Sequence, residues 1–420
     1  MDHDAFVKEA LANYSALPEE TNLLYKRHHI PVPHLFSFNG TKEQGVEEYL
    51  KEHANALGIA FDLAVGSESH LLSSGRNIRV TSPSDDTQAI GTMMHKSSED
   101  KYLALIDAHS RRFIHIEVPK GTSAELKILF VNGDSPLTSH VLINIGEAAS
   151  LKLLELYTSS SARRSMSGVA HEINAAPGSK AEIDMLHNEN ANTTVMAFIR
   201  NRAGADSKID INVFYNGGEL TRARGTVDAT GARSEVRVNE IVFGCSSQRF
   251  DINTMILNSG RESNASLESR AVLMDSSFCL LKGYAKVNRG ASGSKSYVHE
   301  RGILLDRGAR IDGLPDMSVE ESAVKATHSS ATSPIDPEAV FYLMSKSIDE
   351  LGVRRLIVSG FLAESVARMH NQFARDTSMA LLDRKLEKKE FGLIPKAGEA
   401  SWSFGEEGKK DMFLGHYKYR

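Results

Sequence analysis

One histidine stands where the character of the chain changes. His328 follows Ala326 and Thr327 and precedes Ser329 and Ser330, in a stretch of small and hydroxylated residues. An imidazole binds a metal or moves a proton near neutral pH, and nothing else in this stretch does either. The competing reading is a histidine satisfied by the hydroxyls around it, at a seam between two parts of the fold. Other residues invite chemistry less. His28 with His29, and His299 with Glu300 and Arg301, lack a second ligand pair at zinc-type spacing. Cys245 and Cys279 have apolar neighbours and read as small buried hydrophobes. A reactive thiolate needs positive charge beside it, and neither local sequence supplies much. The charge run at residues 384–390 reads as a solvated helix face. No phosphate-binding Gly-x-x-x-x-Gly-Lys-Ser/Thr loop, Gly-x-Ser-x-Gly elbow or His-Glu-x-x-His pair occurs, so the chain is not itself a P-loop ATPase.

The elements that must position His328 follow from the rest of the chain. With 420 residues it exceeds one ordinary core, and two or three domains are expected. Charged residues at 25% and hydrophobic ones at 41% give a globular profile, and a net charge of −5 gives no general reason to expect nucleic acid or an anionic membrane. No apolar run approaches the roughly 20 residues of a membrane helix. The acidic N-terminus lacks a signal pattern, and two cysteines make no disulfide framework; a cytoplasmic protein is expected.

Residues 1–77 read as an N-terminal helical domain. Phe6, Ala10, Leu11 and Tyr14 fall near helical spacing, Pro18 stops that helix, and Asn22 caps a short piece. Pro31 and Pro33 force an extended passage, and Thr41 with Gln44 opens a helix carrying Val46, Tyr49, Leu50 and Ala54 on one face. Residues 78–332 read as a β core. Runs such as 114–118, 126–130, 151–156, 209–213 and 236–241 alternate apolar and polar residues, which buries one face and wets the other. Gly121, Gly146, Gly178, Gly204, Gly231, Gly260, Gly290 and Gly308 recur at intervals of 18 to 32 residues. Turn-then-strand units of that length suggest stacked coils. A β-sandwich is the rival, but Asn132-Gly133 and Asn216-Gly217 are too few hairpin turns to pair the strands. Residues 333–420 read as a C-terminal helical domain. Asp336 caps, Pro337 takes the first turn, and Val340, Phe341, Leu343 and Met344 form the apolar face. Ser347 with Glu350 opens a second helix, and a third begins near Asp376; Trp402 and Phe413 are isolated anchors in the last residues.

Residues 315–361 resemble the SufB/SufD family, the β-helical scaffold proteins of iron–sulfur cluster assembly. The resemblance rests on Thr327-His328-Ser329-Ser330-Ala331-Thr332, then Phe341-Tyr342-Leu343, then Ser347-Ile348-Asp349-Glu350, then Leu356-Ile357-Val358-Ser359-Gly360-Phe361, in that order. It is specific here and extends loosely over the whole chain. It implies a right-handed parallel β-helix flanked by N-terminal and C-terminal α-helical domains. It also implies an ABC-type ATPase partner, SufC, on the C-terminal helices, and pairing with a SufB-like chain or with a second copy as a homodimer. SufB-like members carry a cysteine where Val319 stands and Glu-His-Glu where Thr327-His328-Ser329 stands. SufD-like members often have Cys-Ser-His, and here the first of these is Ala326. The chain looks more like SufD, and only His328 carries over as a metal ligand. The expected function is a non-catalytic assembly subunit with iron or a transient iron–sulfur cluster at an interface, and no tightly bound cofactor on the isolated chain. Two alternatives are a solenoid polysaccharide-active enzyme, for which no carboxylate pair stands out and no signal is present, and a purely structural scaffold.

Overall fold

The structure, a computed structural model, describes residues 2–21, 28–32, 59–67, 70–72, 76–160 and 163–388. The Asn22 piece, Pro33, the helix opened by Thr41 and the anchors Trp402 and Phe413 lie outside these residues.

The described chain opens with helix α1 (His3–Ala16), capped by Asp2, whose carboxylate accepts from Ala5 N at 2.8 Å. Ala10 is buried while Leu11 stays 42% exposed, so the apolar stripe is narrower than the spacing suggested. Twenty strands follow. They are β1 (Leu63–Gly66), β2 (His70–Leu72), β3 (Ile78–Thr81), β4 (Phe113–Val118), β5 (Ser123–Asn132), β6 (Leu137–Ile145), β7 (Ser150–Ser159) and β8 (Ser165–Ala175). Next come β9 (Lys180–His187), β10 (Thr193–Ala203), β11 (Lys208–Tyr215), β12 (Leu220–Ala229), β13 (Glu235–Gly244) and β14 (Arg249–Asn258). The last are β15 (Asn264–Leu273), β16 (Phe278–Val287), β17 (Lys295–Leu304), β18 (Arg310–Gly313), β19 (Asp316–Val319) and β20 (Lys325–Pro334). Helices α2 (Thr87–Thr92) and α3 (Lys101–His109) interrupt the early strands, and α4 (Pro337–Ser345), α5 (Glu350–Ala367) and α6 (Gln372–Leu386) follow the last.

From β5 to β17 the odd-numbered strands stack in one sheet, ordered β2-β1-β5-β7-β9-β11-β13-β15-β17-β20 with β2 and β20 at its edges. From β4 to β18 the even-numbered strands stack in the other, ordered β18-β16-β14-β12-β10-β8-β6-β4-β3, with β19 beside β16. Among the described residues all strand pairings are parallel except β1 with β2 and β3 with β4. The chain therefore winds a parallel β-solenoid of about eight turns, and the sandwich alternative is excluded. Asn216-Gly217 joins no hairpin: the Asn216 amide stacks on Asn188 of the preceding coil, Nδ2 to Oδ1 at 2.8 Å.

The corners explain the even pitch. A residue in the left-handed region is followed by a serine or threonine whose hydroxyl donates back to a carbonyl three residues earlier. Gly178–Ser179, Asp206–Ser207 and Arg233–Ser234 are successive examples, with hydroxyl bonds of 2.6, 2.7 and 2.7 Å. Glycine is compulsory for a different reason at the neighbouring position: a Cβ on Gly260 would run into the carbonyl of Gly231 one coil away.

Inside the solenoid, equal positions on successive rungs stack. Phe130, Tyr157, His187 and Tyr215 form one column with centroid separations of 4.6, 4.1 and 5.4 Å. Outside, each sheet is covered. Val358, Leu362 and Val366 of α5 and Leu381, Leu382 and Leu386 of α6 pack on Leu156, Leu186, Phe214, Ile241 and Val272. A ladder of Asp184, Asn212 and Asn239 fastens that cover. Asn239 Nδ2 donates to Ser365 O at 3.0 Å, while Asp184 accepts from His370 N at 2.9 Å and Asn371 N at 2.7 Å. Helix α3 covers the other sheet through Tyr102, Leu103, Leu105 and Ile106 against Met166, Ala170, Met196 and Phe198.

Three local expectations change. The cap of α5 is Asp349, accepting from Gly352 N at 2.8 Å, because Ser347 turns into the left-handed region at φ 66° and cannot serve. Helix α6 starts at Gln372, capped by Asn371. The described part of the 384–390 charge run is not a solvated face. Lys385 is 1% exposed, donating to Gln248 Oε1 at 2.8 Å and to the carbonyls of Asn216 and Phe243, and Asp383 and Glu387 pair with Arg355.

Candidate functional site at the open end of the solenoid

The last complete rung is β20, and it pairs only with β17. Its sequence, Lys-Ala-Thr-His-Ser-Ser-Ala-Thr-Ser-Pro, holds no large apolar side chain, and nine of its ten residues are exposed, with Ala326 half-buried. The ladder ends here in free backbone donors and acceptors.

His328 sits on this rung opposite Val298, whose side chain is fully buried in the solenoid core. In-register parallel strands place partners on the same face, so His328 continues an inner row at the point where the interior opens. Ser329 points the other way, its hydroxyl 3.3 Å from His299 Nδ1. The run of His299, Glu300 and Arg301 therefore splits between faces. Glu300 is interior and 2% exposed, with its register partner Ser330 on the open rung. Gly283 N donates to Glu300 Oε1 at 2.7 Å, and burial pushes the carboxyl up to about 8. His28 and His29 belong elsewhere: the His28 carbonyl accepts from Lys282 Nζ at 3.2 Å, and the His29 imidazole faces Glu19.

The cysteines take no part in this face. Cys279 is fully buried in the solenoid core, where desolvation holds its thiol well above the usual range. Cys245 is 5% exposed beside Gln248, on the outer side under α6. Val319 ends β19, 43% exposed. Among the described residues, no three His, Cys, Asp or Glu side chains gather in a metal-holding group. His328 is a lone imidazole on this rung, and no such group forms around it among the described residues.

Beyond the open rung, α4 projects from the body. Asp336 caps it, with its carboxylate accepting from Glu338 N at 2.9 Å, and Pro337 begins it. None of its residues is buried. Phe341 is 76%, Tyr342 60% and Met344 45% exposed, while Val340 and Leu343 are half-buried, so most of the apolar face legible in the sequence is uncovered among the described residues. Sequence reasoning singled out His328 and the apolar residues of this face. It missed Glu300 as an interior group, because its side is set by pairing register and not by its neighbours in sequence. No helix among the described residues is long and apolar enough to cross a membrane.

Comparison with known proteins agrees with this architecture. Residues 129–361 match the SUF system FeS cluster assembly, SufBD core domain. The iron-sulfur cluster assembly protein SufD of Bacillus subtilis (strain 168) is 26% identical over 301 residues, covering 70% of this chain and 68% of that protein. SufD of Escherichia coli (strain K12) is 20% identical over 293 residues, covering 68% and 69%. A SufBD family protein of Mycobacterium tuberculosis (strain ATCC 25618 / H37Rv) is 25% identical over 204 residues, 47% of this chain and 51% of that protein. With more than half its length inside the matched core domain, and that domain wound as a parallel solenoid, the chain belongs to the SufB/SufD family of iron–sulfur cluster assembly proteins and is SufD-like.

Proposed function

We propose that this chain is a non-catalytic subunit of a SUF-type assembly complex with three working parts: an N-terminal region, residues 1–77; a β-helix core, residues 78–332; and a C-terminal helical region, residues 333–420. The core pairs through its open rung with a SufB-like chain, or with a second copy of itself. The C-terminal region docks an ABC-type ATPase through α4. His328 contacts iron, or a nascent cluster, as cargo at the paired face. The observation that carries the reading is the rung itself. An edge strand of ten residues, none large and apolar, is uncovered and bears an interior-facing histidine. Strand edges of this length are ordinarily covered, shortened or broken, so a free one fits a strand from a partner. An imidazole suits iron, and a site lacking further donors until the partner arrives allows a cluster to be built and released.

The test is copurification of the native complex with its subunits identified and its iron counted. His328→Ala is expected to lower iron per assembled complex without a matching loss of thermal stability. Normal iron loading with a lowered melting temperature would remove His328 from the site. For the ATPase, removing the whole C-terminal region is a poor test, because α5 and α6 cover the apolar outer face of a sheet. Phe341→Ser with Tyr342→Ser leaves that cover in place; ATPase retention by this double variant would refute docking on α4.

A further inference from the structure

One inner column of the solenoid is polar in a regular way. Glu240, Ser269, Glu300 and Ser330 are register partners on four consecutive strands, β13, β15, β17 and β20. All four face the interior, sharing the side of Val238, Leu267 and Val298, which belong to the core cluster. Acid and hydroxyl thus alternate at the rung spacing of about 4.8 Å.

We propose that these four side chains form a proton relay that joins the closed interior of the solenoid to the open rung on which His328 stands.

The inner end is enclosed. Glu240 is 3% exposed, and its two carboxyl oxygens meet Thr254 Oγ1 at 2.5 Å and Ser269 Oγ at 2.6 Å. A cavity of about 10 Å³, room for one water, borders Glu240, Thr254 and Tyr215. Ser269 stands on the rung between the acids. At the outer end, Glu300 Oε1 is tied to Gly283 N while Oε2 is buried with no hydrogen-bond partner among the described residues. There, Gly313 leaves the room that a side chain would fill: a Cβ on it would touch both Glu300 Oε2 and the Ser330 hydroxyl. Ser330 is exposed, so it is the column's contact with solvent.

Burial shifts both carboxyls upward, toward the neutral form, and Glu240 further raises Glu300. The other titratable groups facing them are Tyr215 and Glu189 from the inner rungs and Cys279 from the opposite sheet. A hydroxyl between two carboxyls can accept a proton from one and donate its own to the other. For uptake, hydronium at the open end gives a proton to Ser330 Oγ as the Ser330 O–H proton passes to Glu300 Oε2. One O–H bond breaks at the hydronium, which becomes water, one forms and one breaks at Ser330 Oγ, and one forms at Glu300 Oε2, so that a carboxylate becomes a carboxylic acid and no electrons change hands. Release runs in reverse. A gain or loss of charge on the open rung is thereby matched within one or two rungs. The relay does not depend on what His328 binds.

The test uses the full chain and infrared spectroscopy. Wild type is expected to show the carbonyl stretch of protonated carboxyl groups at neutral pH, one component lost in Glu300→Gln and another in Glu240→Gln. Glu240→Gln is expected to lower the titration midpoint of Glu300, which lies near 8 in the intact chain. On mixing into D₂O, Ser330→Ala is expected to slow exchange of the Glu300 proton by about tenfold, the order of one lost hydrogen-bonded link. Ser330→Thr, which keeps the hydroxyl, is expected to restore it, and Ser269→Ala to slow only the Glu240 component. Absence of protonated carboxyl bands at neutral pH, or exchange indifferent to both serines, would overturn the relay and leave the acids as static polar pins. Neither result bears on the iron reading, because no step of the measurement involves metal.

Discussion

The two ends of the solenoid face the same problem and solve it oppositely. A parallel ladder stops with a row of unpaired backbone groups. At the N-terminal end, β2 and β3 close the sheets antiparallel, and Arg112 Nη1 ties off Gly66 O at 2.7 Å. Away from that end, a strap of residues 19–21 and 28–32 is pinned across β12, β14 and β16 of the second sheet by buried charges: Asp251 meets Lys282 Nζ at 2.7 Å, Arg224 Nη1 at 3.0 Å, Arg222 Nη1 at 3.4 Å and Ile30 N at 3.0 Å. At the C-terminal end no such closure exists among the described residues, and the rung carries hydroxyls and one imidazole. The difference separates stability from function. Buried charge is concentrated where the chain covers its own sheet, and exposed backbone where the ladder stops uncovered.

The largest stability loss is expected where the strap is pinned by buried charge, on β12, β14 and β16. Asp251→Ala removes one buried carboxylate from a cluster in which Glu20 and Asp100 then remain to face Arg222, Arg224 and Lys282, and the expected cost in chemical denaturation is about 3–5 kcal/mol. Acid gives an independent check. The three cations hold the Asp251 carboxyl below the usual carboxylate range. A depressed folded value means the stabilisation is present above the unfolded value and lost as pH falls through the folded one. Wild type should therefore lose stability steadily below about pH 4, with a shallower slope in the variant. Equal slopes would show that the strap is held by packing instead.

The cover on the outer face of the first sheet should respond less. Asp184→Ala leaves His370 N, Asn371 N and the Asn212 amide without their acceptor, an expected cost of about 1–3 kcal/mol in denaturation. Asp184→Asn keeps one acceptor oxygen and should cost less. Hydrogen exchange should report the loss first in α5 and α6.

A smaller effect belongs to His370 on the same corner. Asp210, with Nε2 to Oδ2 at 3.6 Å, leads the groups that raise the imidazole above its ordinary value, followed by Asp184 and Glu182. A raised folded value means this contribution is complete below about pH 6.5 and disappears as pH rises through the folded value. With the side chain 24% exposed, the change should stay under about 1 kcal/mol, and His370→Gln should abolish it. A pH profile unchanged by the substitution would place the corner's stability in the Asp184 ladder alone.

Sequence reading reached the coil but not its fastening. Alternating runs and recurring glycines specify strands and corners, because period-two burial and tight turns are local. The left-handed corner positions were only partly visible, since Asp206, Arg233, Glu262 and Asp275 occupy them as well as glycine. Lys385 looked like part of a solvated charge run because its partners, Asn216, Phe243 and Gln248, lie more than a hundred residues away. The Glu240–Ser330 column escaped for the same reason: no spacing of its four members signals that coiling stacks them. His328 was legible because its setting is local, a lone imidazole in a run of small residues at the end of the β region.

The smallest stability effect should come from the open end, where the contrast is sharpest. Phe341 and Tyr342 touch solvent, and α4 buries none of its residues. Replacing both by serine removes no interior contact, and the loss of helix propensity is slight at two surface positions. The expected change in unfolding free energy lies within about 0.5 kcal/mol, as for surface substitutions generally. His328→Ala should behave alike, because the imidazole continues the inner row at its uncovered end and fills no enclosed space. Both proteins should melt like wild type as isolated chains, while partner binding for the first and iron content for the second fall. A loss of 2 kcal/mol or more in either isolated chain would mean that this end is packed like the other, by residues of the chain itself, and the distinction between a sealing end and a meeting end would fail.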